Sequence, residues 1–371
     1  MKKFFSVFVF FLIIFISVLF SELFLQILEK RSYSNKFPNA FSFVQGKKEM
    51  HIQPFLSPKI YLEDIKINKS IILPISGISK VKTALCNESG KMSVYISDEK
   101  GFNNYENLWN STQQKDLLIG DSFVHGACVD QDQTISAHMN KLNKVNKTIS
   151  LGSIGIGPYF ELAIIEEYVK HLNPKNVLWF YYEGNDYHDF LYEKKNVILR
   201  QYLNNFNQRL FYRQEEIDNF IINNVSEYRL AVQEEQNFFI EILKFRKIKN
   251  QLNNIKKIYF NYSQKDLIEF SYILDKAKKT TEENGGKLHF VYLPEYSRYE
   301  KKFFKKENNF EKNKILDLVK SKNINIIDID TLLFKKNNDP LNFFYFRKPG
   351  HYNDLAYKEI AKIIMKNLYG K

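Results

Sequence analysis

The sequence predicts an α/β protein with a mostly parallel, five-stranded sheet. Five short apolar segments have the length and composition of buried strands: DLLIG (116–120), KTISLG (147–152), NVLWFYYEG (176–184), KLHFVYLP (287–294) and NINIIDID (323–330). Amphipathic segments at 134–144, 158–172 and 353–368 have helical spacing. Strands that alternate with helices imply right-handed crossovers and parallel pairing. Such sheets bind ligands beyond the carboxyl ends of their strands, so we expect the functional residues there.

The first thirty residues predict a membrane anchor. Phe4 to Phe20 carries no charge, and the apolar run resumes after Glu22. Its length suits a spanning helix, and Lys2 and Lys3 favour a cytoplasmic N-terminus. The rest of the chain would then lie in the periplasm, attached to the bacterial inner membrane by a single pass. A cleaved signal peptide is the alternative, but the run lacks a small-x-small cleavage site.

The remainder divides by pattern into an extension and a main domain. Residues 31–115 are irregular, with short strands and turns, and we interpret them as a neck and an N-terminal extension packed on the main domain. Residues 116–371 form that main domain. Within it, about 190–280 is an insert with mostly helical spacing between the third and fourth strands.

Composition and charge exclude several classes of protein. The chain of 371 residues has 44% hydrophobic and 26% charged residues, which excludes a disordered chain and a polytopic membrane protein. The net charge is +12, but the lysines are spread along the chain and no nucleic-acid-binding motif is present, so we do not expect a nucleic-acid partner. In an oxidising compartment, Cys86 and Cys128 either form one disulfide or remain two buried thiols.

The candidate chemistry lies at three strand ends and in one late loop. GDSF (120–123) follows the first strand, GSIGIG (152–157) the second and GND (184–186) the third, and GHYN (350–353) precedes the last helix. A serine hydroxyl becomes a nucleophile when a base removes its proton, and His351 is the candidate base for Ser122. The amides of Ser122 and Gly155 and the side chain of Asn185 are candidate donors to an oxyanion.

These blocks resemble those of the SGNH (GDSL-type) hydrolase superfamily, in its membrane-anchored bacterial branch. GDSFVHGACV (120–129), ISLGSIGIGPY (149–159), YYEGNDYHD (181–189) and GHYNDLAY (350–357) match its blocks in order. The resemblance implies a three-layer α/β/α flavodoxin-like fold, ester hydrolysis or acyl transfer, and no cofactor. YISDEKGFNN (95–104) is similar to a lead-in segment of anchored members.

The sequence departs from the family at the catalytic acid. The family usually places an aspartate two or three residues before the histidine, where this chain has Pro349 and Lys348. A lysine there opposes an imidazolium. Three possibilities remain open: a Ser–His dyad, a carboxylate from elsewhere, of which Asp339 and Asp354 are nearest in sequence, or an impaired site.

Three functions follow from these observations. The first is an envelope-anchored serine esterase or deacylase acting on acylated lipid, glycan or peptidoglycan. The second is an O-acyltransferase, such as an acetyltransferase, using the same site on surface polysaccharide or peptidoglycan. The third is a catalytically degenerate glycan-binding protein. A metal site from His125, His188, Asp186 and Asp189 is disfavoured, because one local cluster lacks the usual ligand spacing.

Overall fold

The computed structural model describes residues 2–30, 40–45, 52–64, 72–143, 146–223, 245, 248–249, 262–300 and 309–370. The chain divides into two compact units. The first comprises Met1–Pro38 and Asn224–Tyr262, and the second comprises Asn39–Asn223 and Ser263–Lys371. Most of the predicted insert between 224 and 261 lies outside the described residues.

The first unit contains a long apolar helix, α1 (Lys2–Lys30). Its stretch Ser6–Ile27 has 22 residues and a mean hydropathy of 2.7, which suffices by length and composition to cross a membrane. Glu22 interrupts the apolar run, and its carboxylate accepts hydrogen bonds from the Gln26 side chain at 3.2 Å and from the backbone N–H of Ile248 at 2.8 Å. Both oxygens of this acidic side chain therefore have a partner within the unit.

The N-terminal extension builds a small sheet in the second unit. Its helices are α2 (Ala40–Gln45) and α3 (Tyr61–Asp64), and its strands are β1 (Ile52–Pro54), β2 (Lys82–Ala84) and β3 (Val94–Ile96). The strand order is β1-β2-β3. β1 pairs with β2 in parallel, and β2 and β3 form an antiparallel hairpin. The turn of this hairpin, residues 87–91, is part of the functional site described below.

The main sheet confirms the predicted α/β fold. Among the described residues it has five parallel strands: β4 (Lys115–Ile119), β5 (Lys147–Ser150), β6 (Pro174–Tyr182), β7 (Lys287–Leu293) and β8 (Asn325–Asp328). Their order is β5-β4-β6-β7-β8. Each strand lies within a few residues of the segment that the sequence predicts. Because β4 is flanked by β5 and β6, the loops that follow these three strands meet at one edge.

Helices cover both faces of this sheet. They are α4 (Ser122–His125), α5 (Ile135–Leu142), α6 (Pro158–Tyr168), α7 (Asp186–Glu193), α8 (Val197–Gln201), α9 (Gln264–Glu283), α10 (Asn309–Ser321), α11 (Ile329–Leu332) and α12 (Asp354–Tyr369). Short 3₁₀ turns lie at Pro58–Ile60, Gln131–Gln133, Val169–His171, Tyr202–Asn204, Leu210–Tyr212, Tyr296–Arg298, Phe334–Lys336, Pro340–Phe343 and Tyr345–Arg347.

Side chains along β6 point alternately to the two faces of the sheet, and each face packs against a different layer of helices. Leu178 and Phe180 join the apolar cluster that includes α5 and α12. The intervening Trp179 and Tyr181 contact Phe270 of α9, because successive strand side chains point to opposite faces. The structure therefore places α9 in an outer layer of the sandwich, although the sequence pattern assigned residues up to about 280 to the insert.

A buried carboxylate organises the segment that joins the extension to β4. Asp98 accepts hydrogen bonds from the backbone of Phe102, from Asn104 and from the Trp109 indole, at 2.7–2.9 Å. Burial raises the pKa of Asp98 to about 6 in spite of these donors. Asn104 also bonds the N–H and the C=O of Ser150, each at 2.8 Å. These two bonds pair the end of the edge strand β5, whose outer backbone would otherwise be unpaired there.

Substitution of Asn104 tests this attachment. Asn104→Ala removes the partners of two buried backbone groups and one donor to Asp98, so we expect the free energy of unfolding to fall by roughly 2–4 kcal/mol. Denaturant unfolding of the full chain in detergent measures the change. Asn110→Ala, at an exposed position of the same segment, is the matched control and should change stability by less than about 0.5 kcal/mol. Equal stability of the two variants would contradict the assignment.

Candidate active site

Ser122 lies where the first strand of the main sheet turns into a short helix. It is the first residue of α4, and the side chain of Asp121 caps that helix by accepting a hydrogen bond from the N–H of Phe123 at 2.9 Å. The serine is 7% exposed, so little of it faces solvent. The strand end and the capped turn thus fix its position at the carboxyl edge of the sheet.

His351 reaches Ser122 from the other end of the chain. Its Nε2 lies 2.9 Å from the Ser122 Oγ, across 229 residues of sequence. The next residue, Tyr352, is fully buried and its hydroxyl donates to the carbonyl of Pro294. The ring of Phe123 packs against the imidazole, with 5.0 Å between ring centroids. The structure therefore brings together the serine and the histidine that the sequence singles out.

The other nitrogen of His351 faces a residue that no sequence motif singles out. Nδ1 lies 2.9 Å from Oε1 of Glu88, and the backbone N–H of His351 donates to Oε2 of the same carboxylate at 2.6 Å. Glu88 belongs to the turn of the β2–β3 hairpin. Gly350 makes room for it, because a Cβ at that position would overlap the Glu88 carboxylate.

The two aspartates predicted as candidate acids lie elsewhere. Asp339 is about half exposed and forms an ion pair with Arg347. Asp354 begins α12 with an exposed side chain. In this structure the carboxylate beside the His351 ring belongs to Glu88, across 263 residues of sequence, and no pattern near the histidine reveals that contact.

The pKa values of this pair shift towards the charged forms. Burial works to lower the pKa of His351, but the hydrogen bond and negative charge of Glu88, with the charge of Asp121, raise it above the usual 6.5. Burial likewise works to raise the pKa of Glu88, and its bonds to His351 and the imidazolium charge lower it below 4.5. The site therefore stabilises a protonated imidazole beside an ionised carboxylate.

The predicted oxyanion donors follow the two strands that flank β4. Gly155 lies after β5 at a φ of +71°, and Ser57 of the extension braces this loop by donating to the carbonyl of Ile154 at 2.7 Å. Asn185, at the N-terminus of α7, donates from its amide to Asp189 at 2.8 Å. The strand order brings both loops to the edge that carries Ser122.

Buried carboxylates lie beside these donors. Burial raises the pKa of Asp121 to about 6, against the lowering effect of the Phe123 N–H. Burial also raises the pKa of Asp186, and the neighbouring charges of Glu161 and Asp121 raise it further. Lys59 of the extension forms an ion pair with Asp189. This cation offsets part of the negative charge next to Asn185.

A disulfide joins the extension to the segment that follows Ser122. Cys86 and Cys128 are bonded, with 5.1 Å between their Cα atoms. The Cys128 sulfur lies 3.6 Å from Nδ1 of His351. Within the described residues, the two sulfurs and His351 are close enough to suggest a metal site. The sulfurs are bonded to each other, however, so neither provides the thiolate that a metal requires.

His125, three residues after Ser122, packs in the interior of the protein. It is buried, its Nδ1 lies 3.0 Å from the carbonyl of Gly152, and its ring is flanked by Phe55 and Tyr95. Burial lowers the pKa of His125 to about 4. A neutral imidazole among aromatic rings suits a packing role between the extension and the main sheet.

No protein-family model and no curated protein matches the chain. Solved structures are similar in fold. A member of the lipolytic protein G-D-S-L family from Veillonella parvula is 12% identical, with 70% of this chain and 99% of that chain covered and a TM-score of 0.38. The acetyl xylan esterase AlAXEase is 14% identical, with 68% and 99% covered and a TM-score of 0.40. A psychrotrophic esterase, EstA, from Pseudoalteromonas sp. is 8% identical, with 70% and 98% covered and a TM-score of 0.37.

Substitution of Gly155 tests the role of its loop. In Gly155→Ala the new Cβ would lie 2.8 Å from the Ser57 hydroxyl at a positive φ, so the loop must shift or the Ser57 hydroxyl must leave its hydrogen bond to Ile154. If the site hydrolyses esters with Gly155 as an oxyanion donor, we expect kcat/KM to fall at least about tenfold, because a displaced donor costs transition-state stabilisation. Gly285→Ala is the matched control: φ is +79° there but the added Cβ meets nothing within 4 Å. It should cost about 1–2 kcal/mol of stability and leave kcat/KM unchanged. Equal activity of the two variants would contradict the prediction.

Proposed function

We propose that the chain is a membrane-anchored serine esterase or deacylase of the SGNH type, with Ser122 as nucleophile and His351 as general base. The observation that carries this proposal is the 2.9 Å separation of Ser122 Oγ and His351 Nε2 at the carboxyl edge of the sheet. This distance permits direct proton transfer from the hydroxyl to the imidazole. Esterases of known structure with a similar fold are consistent with it.

The reaction proceeds through an acyl-enzyme. Nε2 of His351 takes the Ser122 proton while Oγ attacks the ester carbonyl, and the resulting oxyanion accepts hydrogen bonds from the amides of Ser122 and Gly155 and from Asn185. When the intermediate collapses, the C–O bond to the alcohol breaks and Nε2–H protonates the leaving oxygen. Water then repeats the sequence, with His351 again as base, and releases the acid and free Ser122.

The compartment follows from the anchor. Lys2 and Lys3 precede the apolar helix α1, so we place the N-terminus in the cytoplasm and the catalytic unit in the periplasm. The Cys86–Cys128 disulfide supports an oxidising location. Acylated lipid, glycan or peptidoglycan is the substrate class available there. A sugar hydroxyl in place of water would convert the same acyl-enzyme to an acyltransferase, and product analysis with a glycan acceptor separates the two reactions.

Active-site labelling tests the proposed nucleophile and base. Fluorophosphonates react with activated serines, so wild-type full-length protein in detergent should be labelled and should hydrolyse short-chain aryl esters. Ser122→Ala and His351→Ala should each reduce kcat/KM by about 1,000-fold or more, because both groups act in one step. Ser321→Ala, at an exposed serine, is the control and should retain full activity and labelling. Wild-type activity in Ser122→Ala would disprove the mechanism.

The pH dependence tests the state of His351. The base must be neutral to accept a proton, and its pKa in the folded enzyme lies above 6.5. We therefore expect kcat/KM to be constant at alkaline pH and to reach half its maximum at a pH above 6.5. Below that point it should fall about tenfold per pH unit. A pH–rate profile from pH 5 to 9 measures this. A rate that stays constant down to pH 5 would contradict a histidine base.

A further inference from the structure

The carboxylate that the family places just before the histidine is absent from this chain, and the structure offers a replacement. Both oxygens of Glu88 contact His351, one at the ring Nδ1 and one at the backbone N–H. We propose that Glu88 is the positioning carboxylate of this active site, and that the Cys86–Cys128 disulfide holds it there. The inference rests on the proposed serine esterase function and assigns that site a third member.

The geometry of the contact fits this role. A carboxylate at Nδ1 favours the tautomer that leaves Nε2 free to accept the Ser122 proton, and it stabilises the imidazolium that follows. The proton taken from Ser122 is held on Nε2 of His351 and is not passed on to Glu88. It then goes to the oxygen of the leaving alcohol. Because the second oxygen bonds the backbone of the same residue, the carboxylate fixes the loop as well as the ring. The negative charge of Asp121 also raises the pKa of His351. The Asp121 side chain, however, accepts a hydrogen bond as the N-cap of α4, so we assign the positioning role to Glu88.

The hairpin that carries Glu88 is attached to the main domain next to Ser122. The N–H of Leu85 donates to the carbonyl of Ser93, and the N–H of Ser93 donates to the carbonyl of Cys86, so the strands stay paired up to the disulfide. Glu88 is only two residues beyond Cys86, and Cys128 is six residues beyond Ser122. The bond between the two cysteines therefore ties the turn to the nucleophile segment.

The second link at this turn is much weaker than the disulfide. Lys91 pairs with Asp130 at 2.8 Å, but the side chains are 72% and 42% exposed, and exposed ion pairs contribute little. Elsewhere in the hairpin, Gln131 donates to the carbonyl of Ile96 at 2.8 Å, and Leu85 and Tyr95 pack in one apolar cluster with Ala127. These contacts hold the strands, so without the disulfide the turn itself would be held by the Lys91–Asp130 pair and by the Glu88–His351 contact. Oxidation of the two cysteines is thus the step that completes the site, and the enzyme should reach full activity only in an oxidising compartment.

Glu88→Gln tests the carboxylate, since it keeps the length of the side chain and removes its charge. We expect kcat/KM to fall by about 100-fold or more, and the acidic limb of the pH–rate profile to move to lower pH, because Glu88 raises the pKa of His351. Glu106→Gln, at an exposed glutamate of the same extension, is the matched control and should change neither. The proposal is overturned if either the fall in rate or the shift of the limb is missing.

Two further measurements test the proposal even if Glu88→Gln does not fold. In wild-type protein, a low-field proton NMR resonance that disappears in His351→Ala would report the Nδ1–H bond to a carboxylate, and its absence would overturn the assignment. Cys86→Ser should lose at least tenfold in kcat/KM and shift the acidic limb in the same direction as Glu88→Gln. Wild-type rate and profile in Cys86→Ser would overturn the role of the disulfide.

Failure of this inference differs from failure of the proposed function. If Ser122→Ala and His351→Ala are inactive while Glu88→Gln is fully active, the enzyme works as a Ser–His dyad and only the assignment of Glu88 is overturned. If Ser122→Ala retains wild-type activity, the serine mechanism itself is overturned.

Discussion

The contact between Glu88 and His351 is the interaction on which the rest of the site depends. A histidine in a late loop has many possible ring orientations, and only one presents Nε2 to Ser122. The carboxylate selects that orientation by bonding the ring at 2.9 Å and the backbone at 2.6 Å. Both partners are partly buried, so their charges are less screened than those of a surface pair. This explains why the pKa of the His351 imidazole is raised, which favours its protonated form.

The extension also contacts the two loops that carry the predicted oxyanion donors. Ser57 bonds the carbonyl beside Gly155, and Lys59 pairs with the aspartate that Asn185 contacts. Each contact bears on a predicted oxyanion donor. Asp121 and its carboxylate neighbours are buried there, and unpaired negative charge next to a developing oxyanion would oppose the reaction. A nearby lysine and raised pKa values reduce that charge, so the extension contributes to both halves of the proposed chemistry.

The proposed anchor, the disulfide and the proposed positioning carboxylate together imply an order of assembly. If the apolar helix α1 acts as the proposed anchor, the second unit would cross the membrane and the two cysteines would meet an oxidising environment. The disulfide then holds the hairpin turn that carries Glu88 beside His351. On this view, the chain would have little esterase activity before it crosses the membrane, because its acid would not yet be in position. Whether Cys86 and Cys128 are oxidised would thereby link the compartment of the chain to its esterase activity.

The sequence by itself determined the sheet, the apolar helix and the positions of Ser122 and His351, because strand periodicity and strand-end loops are local signals. For Cys86 and Cys128 the sequence left a disulfide and two free thiols both open, and the structure has them bonded. Only the tertiary structure revealed the carboxylate proposed as the acid. Asp339 and Asp354 are near the histidine in sequence, yet the carboxylate at Nδ1 belongs to Glu88, 263 residues away. Such a contact depends on how two segments far apart in sequence pack within one unit, and no local pattern encodes that packing.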